Sequence, residues 1–447
     1  MFRRILIANR GEVAARVLKT CDRLGIETVA LATDADSKLA FLQTATTVAG
    51  IGPSRAYLDI DAVIEAGRAN GVSAVHPGWG FLSENPTFAA RCEASGISFV
   101  GPSSSTMRRM ADKAVARTTM GDLGLPTIPG SDGVVGSVAH AKTVAESLGY
   151  PVLLKAVSGG GGRGMRIVRT AAEVGDAFTE ASAEAQSAFG DGRMYMEKLV
   201  EGARHIEFQV MADRHEVHVL GERECSIQRR HQKLLEETPS PGLQGEAGSR
   251  LRNTVIQRIK AACKALNYRG AGTIEMLYDP SGHLYFMEMN TRLQVEHTVT
   301  EMVTGVDLVE AQLEVAANRT VGPFEPANGW SIQCRINAED ATDGFRPQPG
   351  LLTRFEVPTG EGIRVDTHLQ EGDAVSPHYD SMIAKVIATG ADRPAAIARM
   401  RLALSSFRVE GVPTTIDFHR RLLDHPEFIA GNTDTGFLER KLKELLG

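Results

Sequence analysis

The chain has 447 residues, more than one hydrophobic core normally serves, so we expect two to four domains. Hydrophobic residues make up 43% and charged residues 23%, a composition typical of globular proteins, and no window approaches the roughly 18 apolar residues that a membrane span needs. The net charge of −6 at pH 7, without a run of lysine or arginine, argues against nucleic acid as the main partner.

The cysteines and the first residues indicate the compartment. The five cysteines are scattered and show no C-x-x-C spacing, which is typical of reduced thiols in the cytosol. The N-terminal MFRRILIANRGE has only a short apolar run before charges resume, so we expect no signal peptide. The sequence therefore predicts a cytoplasmic protein.

The first hundred residues alternate strand and helix patterns. The segments RILIAN, ETVALAT, VSAVHPG and ISFVGP read as strands, and helical spacing fills the stretches between them. This rhythm predicts a small parallel sheet with helices on both faces. The first turn, ANRGEVAAR, lacks G-x-G-x-x-G, so we expect a Rossmann-like scaffold rather than an NAD site. The turn HPGWGFLSEN could bind a ligand at the strand ends, or serve only as a β-to-α turn.

A glycine-rich hairpin follows in PVLLKAVSGGGGRGMRIVR. A strand and not a helix comes after the glycines, and no Walker A lysine follows Gly164, so neither standard phosphate loop applies. A glycine tip can still bring backbone N–H groups close to phosphate, with Lys155 adding positive charge. A flexible hairpin without a ligand is the alternative.

The segment GTIEMLYDPSGHLYFMEMN predicts an antiparallel hairpin with its loop at Asp279 to Gly282. Its register places Glu275 and Glu288 on one face, either diagonally or directly opposite each other. Like charges so placed are destabilising unless something offsets them, and Mg²⁺ is the natural offset, with Asn290 as a further oxygen donor. A solvated acidic face is the alternative, but the apolar neighbours leave little room for it.

Beyond Asn290, the segment EMNTRLQVEH presents polar groups at every second position of what we expect to be one extended face. Arg292 can bind a planar oxyanion, Gln294 can add a donor, and Glu296 can act as a general base. A planar anion beside phosphate-bound Mg²⁺ suggests attack on the γ-phosphate of ATP. In ERECSIQRRHQK, Lys233 or His231 could balance phosphoryl charge, although a charged surface loop is the commoner explanation.

Taken together, several motifs resemble biotin carboxylase in the same order, from about residue 2 to residue 440: ILIANRGE, HPGWGFLSENP, KAVSGGGGRGM, SIQRRHQK, GAGTIEML, EMNTRLQVEH, CRINAED and HYDSMIAK. The resemblance implies an α/β and α+β chain with three parts. These are a Rossmann-like N-terminal domain (1–112), an ATP-grasp domain (113–320) with a mobile lid at about 130–203, and a C-terminal biotin carboxylase domain (331–440). It implies that ATP and bicarbonate form carboxyphosphate, which then gives N1-carboxybiotin.

The resemblance also implies a role for each site residue. Contacts to ATP would come from Lys113, Lys155, Gly161, Gly162, Glu197, Lys198, Leu199, Val200, His205, Gln228 and His231. Glu275 and Glu288 would hold Mg²⁺ (or Mn²⁺) with the nucleotide, and Asn290 would assist a second metal. Bicarbonate would lie on Lys233, Arg292, Gln294 and the backbone of Val295, with Glu296 deprotonating it. Arg335 would stabilise the biotin enolate.

Two features bear on biotin and on partners. The family usually reads HPGYGFLSEN, whereas this chain has Trp79, which we expect to alter the wall of the biotin pocket. No A-M-K-M attachment sequence occurs, so biotin is expected to arrive on a biotin carboxyl carrier protein, or the chain is part of a larger carboxylase. A carboxyltransferase subunit and a homodimer are the other implied partners. The acyl acceptor is not readable from the sequence.

Two other functions remain open at this point. An ATP-grasp ligase could activate a different carboxylate and join it to an amine. A nucleotide-binding regulatory subunit could bind ATP without turnover, although the acidic and basic set described above argues against a degenerate site.

Overall fold

The computed structural model describes residues 1–158 and 164–447. The glycine tip, with the predicted ATP contacts Gly161 and Gly162, lies outside the described residues. None of the described helices has the length and apolar character needed to cross a bilayer.

The N-terminal part forms a five-stranded parallel sheet in the order β3-β2-β1-β4-β5. Its elements are β1 (Arg4–Ile7), α1 (Gly11–Arg23), β2 (Glu27–Ala32), β3 (Thr47–Gly50), α2 (Ile60–Ala69), β4 (Ala74–His76), α3 (Pro86–Ala94) and β5 (Ser98–Phe99). The apolar β1 side chains Ile5, Leu6 and Ile7 are buried. The predicted strand–helix alternation is confirmed, but the edge strand β3, where Val48 is 44% exposed, was not predicted because it carries little apolar pattern.

A second, smaller sheet follows. The elements are α4 (Ser104–Ala111), α5 (Lys113–Asp122), α6 (Val138–Leu148), β6 (Val152–Ala156), β7 (Met165–Val168), α7 (Val174–Phe189) and β8 (Met194–Lys198). The predicted glycine hairpin pairs β6 with β7 in antiparallel register, and β8 pairs with the other edge of β6. Apolar side chains from α6, α7 and this sheet form their own core, which includes Ala145, Leu154, Ala181 and Met196.

An eight-stranded antiparallel sheet dominates the rest of the chain. It begins with β9 (Arg204–Ala212), β10 (Val217–Arg229), β11 (Gln232–Thr238), α8 (Gly245–Ala265), β12 (Gly270–Tyr278), β13 (Leu284–Asn290), α9 (His297–Thr304), α10 (Leu308–Ala316) and β14 (Trp330–Asn337). Further elements are β15 (Glu339–Asp340), β16 (Arg346–Pro347), β17 (Gly350–Leu351), β18 (Arg354–Glu356), β19 (Ile363–Thr367), β20 (Ala374–Val375), β21 (Met382–Gly390), α11 (Arg393–Ser406), β22 (Arg408–Glu410), α12 (Ile416–Asp424), α13 (Pro426–Ile429) and α14 (Phe437–Leu446).

The strand order of this sheet is β13-β12-β9-β10-β11-β14-β21-β19. Strand β11 belongs to the predicted second domain and β14 follows it at the start of the third. Hydrogen bonds between these two strands join both parts into one sheet. Side chains that are far apart in sequence therefore meet on one continuous surface.

Two local predictions were wrong. The segment EMNTRLQVEH is not one extended face, because β13 ends at Asn290 and the chain turns through residues 291–296 into α9. The segment ERECSIQRRHQK is not a loop, since most of it lies in β10 and its last two residues begin β11. The turn between these strands contains Arg230 and His231, both with positive φ.

The hairpin register decides how the predicted carboxylates relate. Tyr278 pairs with Leu284, and an irregularity between Glu275 and Met276 shifts the later pairs by one residue. The shift places Glu275 directly opposite Glu288, which is the second of the two predicted registers.

Buried histidines predict a pH dependence of stability. Burial lowers the pKa of His76 and of His419 to about 4, whereas an exposed histidine has a pKa of about 6.5. The unfolded chain therefore binds these protons first, so stability present above pH 6.5 is lost as the pH falls towards 4. Thermal melting between pH 8 and 5 should show this loss, and the loss should be smaller in His419→Gln, where only His76 of the pair remains. A melting temperature constant between pH 6.5 and 5 would contradict the assignment.

Candidate active site

The site is built around the ammonium of Lys233 at the start of β11. Its Nζ lies 2.6 Å from Glu207 Oε2, 2.9 Å from Glu275 Oε1 and 2.6 Å from Glu296 Oε1. These carboxylates come from β9, β12 and the residue before α9, and each is buried. One cation thus joins three separate segments of the chain.

A second cation completes the network on the other side of Glu296. Arg335 of β14 donates to Glu296 Oε2 at 3.0 Å and, through Nε, to Glu236 Oε1 at 2.5 Å. Arg223 of β10 is fully buried and donates to Glu207 Oε1 at 2.6 Å. The acids are therefore interleaved with cations, as buried charges require.

The network keeps Glu296 ionised. Burial by itself would raise the pKa of this carboxyl, but Lys233, Arg335 and Arg223 outweigh burial and hold the pKa well below its usual range. For Lys233, burial would lower the pKa, but the three carboxylates raise it well above the ordinary lysine value. Both groups are charged at neutral pH.

Arg292 lies in the turn after β13 and is oriented from several sides. Its Nε donates to Glu84 Oε2 at 2.8 Å, Nη1 to Gln294 Oε1 at 3.0 Å and Nη2 to Asn290 Oδ1 at 3.0 Å. Glu84 belongs to the HPGWGFLSEN turn of the N-terminal sheet and also accepts from the Thr291 N–H at 3.0 Å. An incoming planar anion would replace the two amide oxygens on the Nη atoms, while Glu84 keeps the guanidinium in place.

The predicted metal residues lie together, with cations as their present partners. Glu275 Oε1 accepts from Asn290 Nδ2 at 2.9 Å and Gln294 Nε2 at 3.1 Å. Glu288 Oε2 lies 3.2 Å from Lys113 Nζ. The carboxylates supply the hard oxygen donors that Mg²⁺ prefers. Asn290 supplies its oxygen only if its amide turns, because its nitrogen now faces Glu275.

His205 stands beside this group. Its Nε2 is 3.2 Å from Glu275 Oε2, yet the angles do not make a hydrogen bond, so the ring nitrogen is buried without a partner among the described residues. Ligand atoms of His205, Glu207 and Glu275 lie within 4.8 Å of one another. The cluster is therefore compatible with a cation, although its acids are already neutralised by Lys233.

The other predicted nucleotide contacts surround a second group of cations. Lys155 of β6 is ion-paired with Glu197 of β8, and its ammonium lies 5.8 Å from the Tyr195 ring. Partial burial, then Lys155 and Lys113, lower the pKa of His231, so its ring is neutral near these two ammonium groups.

The remaining predicted contacts differ in what their side chains do. Lys198 donates to the carbonyls of Gly149 and Tyr150 at 2.9 Å, so its ammonium is used inside the smaller sheet. Leu199 and Val200 follow β8 and are half-buried, and Gln228 pairs in register with Lys233. Trp79 is half-buried in its turn, with the indole Nε1 buried and without a partner in residues 1–158 or 164–447.

Sequence reasoning missed Glu84, Glu207, Arg223 and Glu236. A signal existed for Glu207, because His205, Glu207 and Gln209 alternate along β9 and share one buried face. Glu84 stood in the polar turn whose role was left open. Arg223 and Glu236 carried no local signal, since their partners lie on other strands.

The network predicts a large stability effect at its central cation. Lys233→Met removes the charge that neutralises three buried carboxylates, so the free energy of unfolding at pH 8 should fall by about 3–5 kcal/mol. Denaturant unfolding measures this fall in the free energy of unfolding. The fall should be smaller at pH 5, because the carboxylates can then take up protons. As a control, Lys441→Met, on the surface of α14, should change it by less than about 1 kcal/mol. A change that small at Lys233 would contradict the network.

Comparison with known proteins shows which family this chain resembles along its length. Three family models match successive parts of the chain: "Biotin carboxylase, N-terminal domain" over residues 1–107, "Carbamoyl-phosphate synthase L chain, ATP binding domain" over 112–323, and "Biotin carboxylase C-terminal domain" over 333–440. The biotin carboxylase of Nostoc sp. is 46% identical over 449 residues, which cover 99% of this chain and 100% of the relative. Biotin carboxylase 1 of Bacillus subtilis is also 46% identical, with 98% of each chain covered.

Solved structures agree with these relatives. The biotin carboxylase–β,γ-ATP complex of Campylobacter jejuni is 44% identical and superposes with a TM-score of 0.95, covering 98% of this chain and 99% of that chain. The biotin carboxylase domain dimer of Hydrogenobacter thermophilus 2-oxoglutarate carboxylase, in complex with MgADP, ADP and bicarbonate, is 43% identical with a TM-score of 0.95, covering 100% and 99%. On the family models, the full-length relatives and the shared ATP-grasp architecture, this chain belongs to the biotin carboxylase family.

Proposed function

We propose that this chain carboxylates biotin with bicarbonate at the expense of ATP, giving N1-carboxybiotin, ADP and phosphate. A bicarbonate oxygen attacks the γ-phosphorus, ADP leaves, and carboxyphosphate forms. The carboxyl group then passes to N1 of biotin, which loses its proton as phosphate departs. The observation that carries the proposal is the single buried network of Lys233, Glu296 and Arg335 beside Arg292.

Bicarbonate is held by Arg292, with Gln294 and the backbone of Val295 as neighbours. Glu84 fixes the guanidinium through Nε, so the two Nη groups can face a planar anion. Lys233 supplies positive charge where the phosphoryl group is transferred. Arg335 stabilises the negative charge that develops on the ureido oxygen of biotin, with Trp79 lining the same pocket.

Glu296 is the base that takes the bicarbonate proton. While both Lys233 and Arg335 pair with it, its pKa is low and it is a weak base. An anion that pairs with Lys233 weakens the ion pair between Lys233 and Glu296. The pKa of Glu296 then rises. Substrate binding therefore activates the base, which its ion pairs with Lys233 and Arg335 keep ionised beforehand.

ATP lies between the lysine pair Lys113 and Lys155 and the strand end at 197–200, with His205, Gln228 and His231 nearby. Glu275 and Glu288 would hold Mg²⁺, and Asn290 would join a second ion once its amide turns. Mn²⁺ fits the same oxygen donors. Bound there, the metal supplies positive charge that neutralises the nucleotide phosphates.

The chain acts with partners. Biotin arrives on a biotin carboxyl carrier protein, and a carboxyltransferase consumes the carboxybiotin. The H. thermophilus biotin carboxylase domain was solved as a dimer, which supports a homodimer here. All five cysteines are buried and unpaired, which supports a reducing, cytoplasmic location. The three-part division at 1–112, 113–320 and 331–440 remains our proposal for the domains.

The activity test uses the full chain with ATP, Mg²⁺, bicarbonate and free biotin. ADP release should require bicarbonate and should be stimulated by biotin, because biotin consumes the carboxyphosphate that the first step forms. ATP turnover that is indifferent to biotin but stimulated by an amine would favour another ATP-grasp ligase. Nucleotide binding without turnover would favour a regulatory subunit.

Replacing the base separates binding from chemistry. Glu296→Gln keeps the shape of the side chain but cannot accept the proton, so kcat should fall about 10²–10⁴-fold. ATP binding, measured by calorimetry, should change little, since the contacts to nucleotide lie elsewhere. Glu310→Gln, on the partly exposed face of α10, is the matched control. Unchanged turnover in Glu296→Gln would remove Glu296 as the base.

A further inference from the structure

A fully buried lysine outside the proposed chemistry contacts the turn at residues 291–296, where bicarbonate is proposed to bind and which we call the bicarbonate turn. Lys385 lies in the middle of β21 and is 0% exposed. Its ammonium lies 2.9 Å from Glu12 Oε1 and 3.8 Å from Asp366 Oδ2, and it donates to the Val295 carbonyl at 3.0 Å. The turn that holds Arg292 and Glu296 is thus tied to a strand about 90 residues further along the chain.

The register of the large sheet explains why two cations reach this turn. Lys385 and Arg335 stand directly opposite each other on β21 and β14, so their side chains leave the same face. Arg335 donates to the Glu296 carboxylate at 3.0 Å, while Lys385 donates to the preceding carbonyl. Two neighbouring cations therefore hold two consecutive residues, one through its side chain and one through its backbone.

The N-terminal part supplies the nearest counter-charge. Glu12 lies in the first turn of α1, is 3% exposed, and approaches Lys385 more closely than Asp366 does. Asp366 is already held by Arg364 at 2.7 Å. A buried cation needs a close opposite charge, and the Glu12 carboxylate at 2.9 Å is the nearest one to the Lys385 ammonium.

The rest of the turn is held in the same way. His297 Nδ1 lies 2.7 Å from the Gln294 carbonyl, which fixes the proton on that nitrogen. The carbonyls of Gln294 and Val295 both accept from buried side chains, so the peptide groups between them have one orientation. That orientation decides where the Val295 N–H and the Glu296 carboxylate point.

We propose that Lys385 is a positioning residue for bicarbonate, with Glu12 as its charge partner. Its donation to the Val295 carbonyl holds the 295–296 peptide plane, which leads to the base Glu296. His297 holds the Gln294 carbonyl of the adjoining plane, which carries the Val295 N–H, so the two contacts together present this N–H and the base to the anion. The ion pair between α1 and β21 thereby becomes part of the bicarbonate site. This inference rests on the proposed carboxylation, whose own test is the activity of the unchanged chain.

The first variant is Lys385→Met in the full chain. It should raise KM for bicarbonate about tenfold, equivalent to about 1.4 kcal/mol, while KM for ATP stays within about twofold. Only the KM for bicarbonate should change, because Lys385 contacts the bicarbonate turn and not the lysines Lys113 and Lys155 that are proposed to bind ATP. Thermal melting of each variant measures how much stability is lost in parallel.

The matched control is Arg393→Met. Arg393 is also a buried cation that pairs with a buried carboxylate, Glu237, and donates to a carbonyl, that of Ile429 at 2.8 Å. It shares the chemistry of Lys385 but touches no part of the bicarbonate turn. A comparable loss of melting temperature with an unchanged bicarbonate KM is expected.

Glu12→Gln provides a second variant if Lys385→Met does not fold. It keeps the lysine and the packing but removes the charge partner, so KM for bicarbonate should rise by about threefold with ATP again unaffected. Equal changes in both KM values, or a bicarbonate KM unchanged in both folded variants, would overturn the positioning role. An inactive unchanged chain would instead refute the proposed function.

Discussion

The structure depends on one ammonium, that of Lys233, held by three buried carboxylates. Removing three such groups from water is costly, and only a centrally placed cation makes their convergence tolerable. Because the acids come from β9, β12 and the start of α9, the same ion pairs that stabilise the network also fix the relative positions of these segments. The tertiary fold and the reactive geometry are therefore held by one interaction.

A charge network of this kind suits chemistry on anions. In the proposed reaction, phosphate and bicarbonate add negative charge beside these cations, so binding would rearrange existing ion pairs and need few new ones. Glu84 from the N-terminal sheet and Arg335 from the C-terminal part enter the network from opposite sides. The network is complete only when these parts of the chain are docked, and one sheet runs through the predicted domain boundary.

The irregularity between Glu275 and Met276 shows how a small backbone feature decides which side chains face each other. Continued regularly from the Tyr278–Leu284 pair, the hairpin would set Glu275 against Met287 and leave Glu288 on the opposite face. The one-residue shift puts them opposite, in a pair that requires cations on both sides. Lys233 and Lys113 occupy those positions in this structure.

Local patterns in the sequence determined much of this protein. The period of apolar residues defined the parallel N-terminal sheet and the two hairpins, and the residue types around 275–296 indicated metal, anion and base, because these features depend on near neighbours in the chain. The resemblance of successive motifs then added Arg335 as a prediction and favoured Lys233, which the local pattern had offered only as one of two candidates. Only the tertiary structure decided four other features. These are the bulge, the turn after Asn290, the hydrogen bond from Arg292 to Glu84 and the burial of Lys385. Each depends on hydrogen bonds and charges between strands far apart in sequence, whose energies leave no periodic trace along the chain.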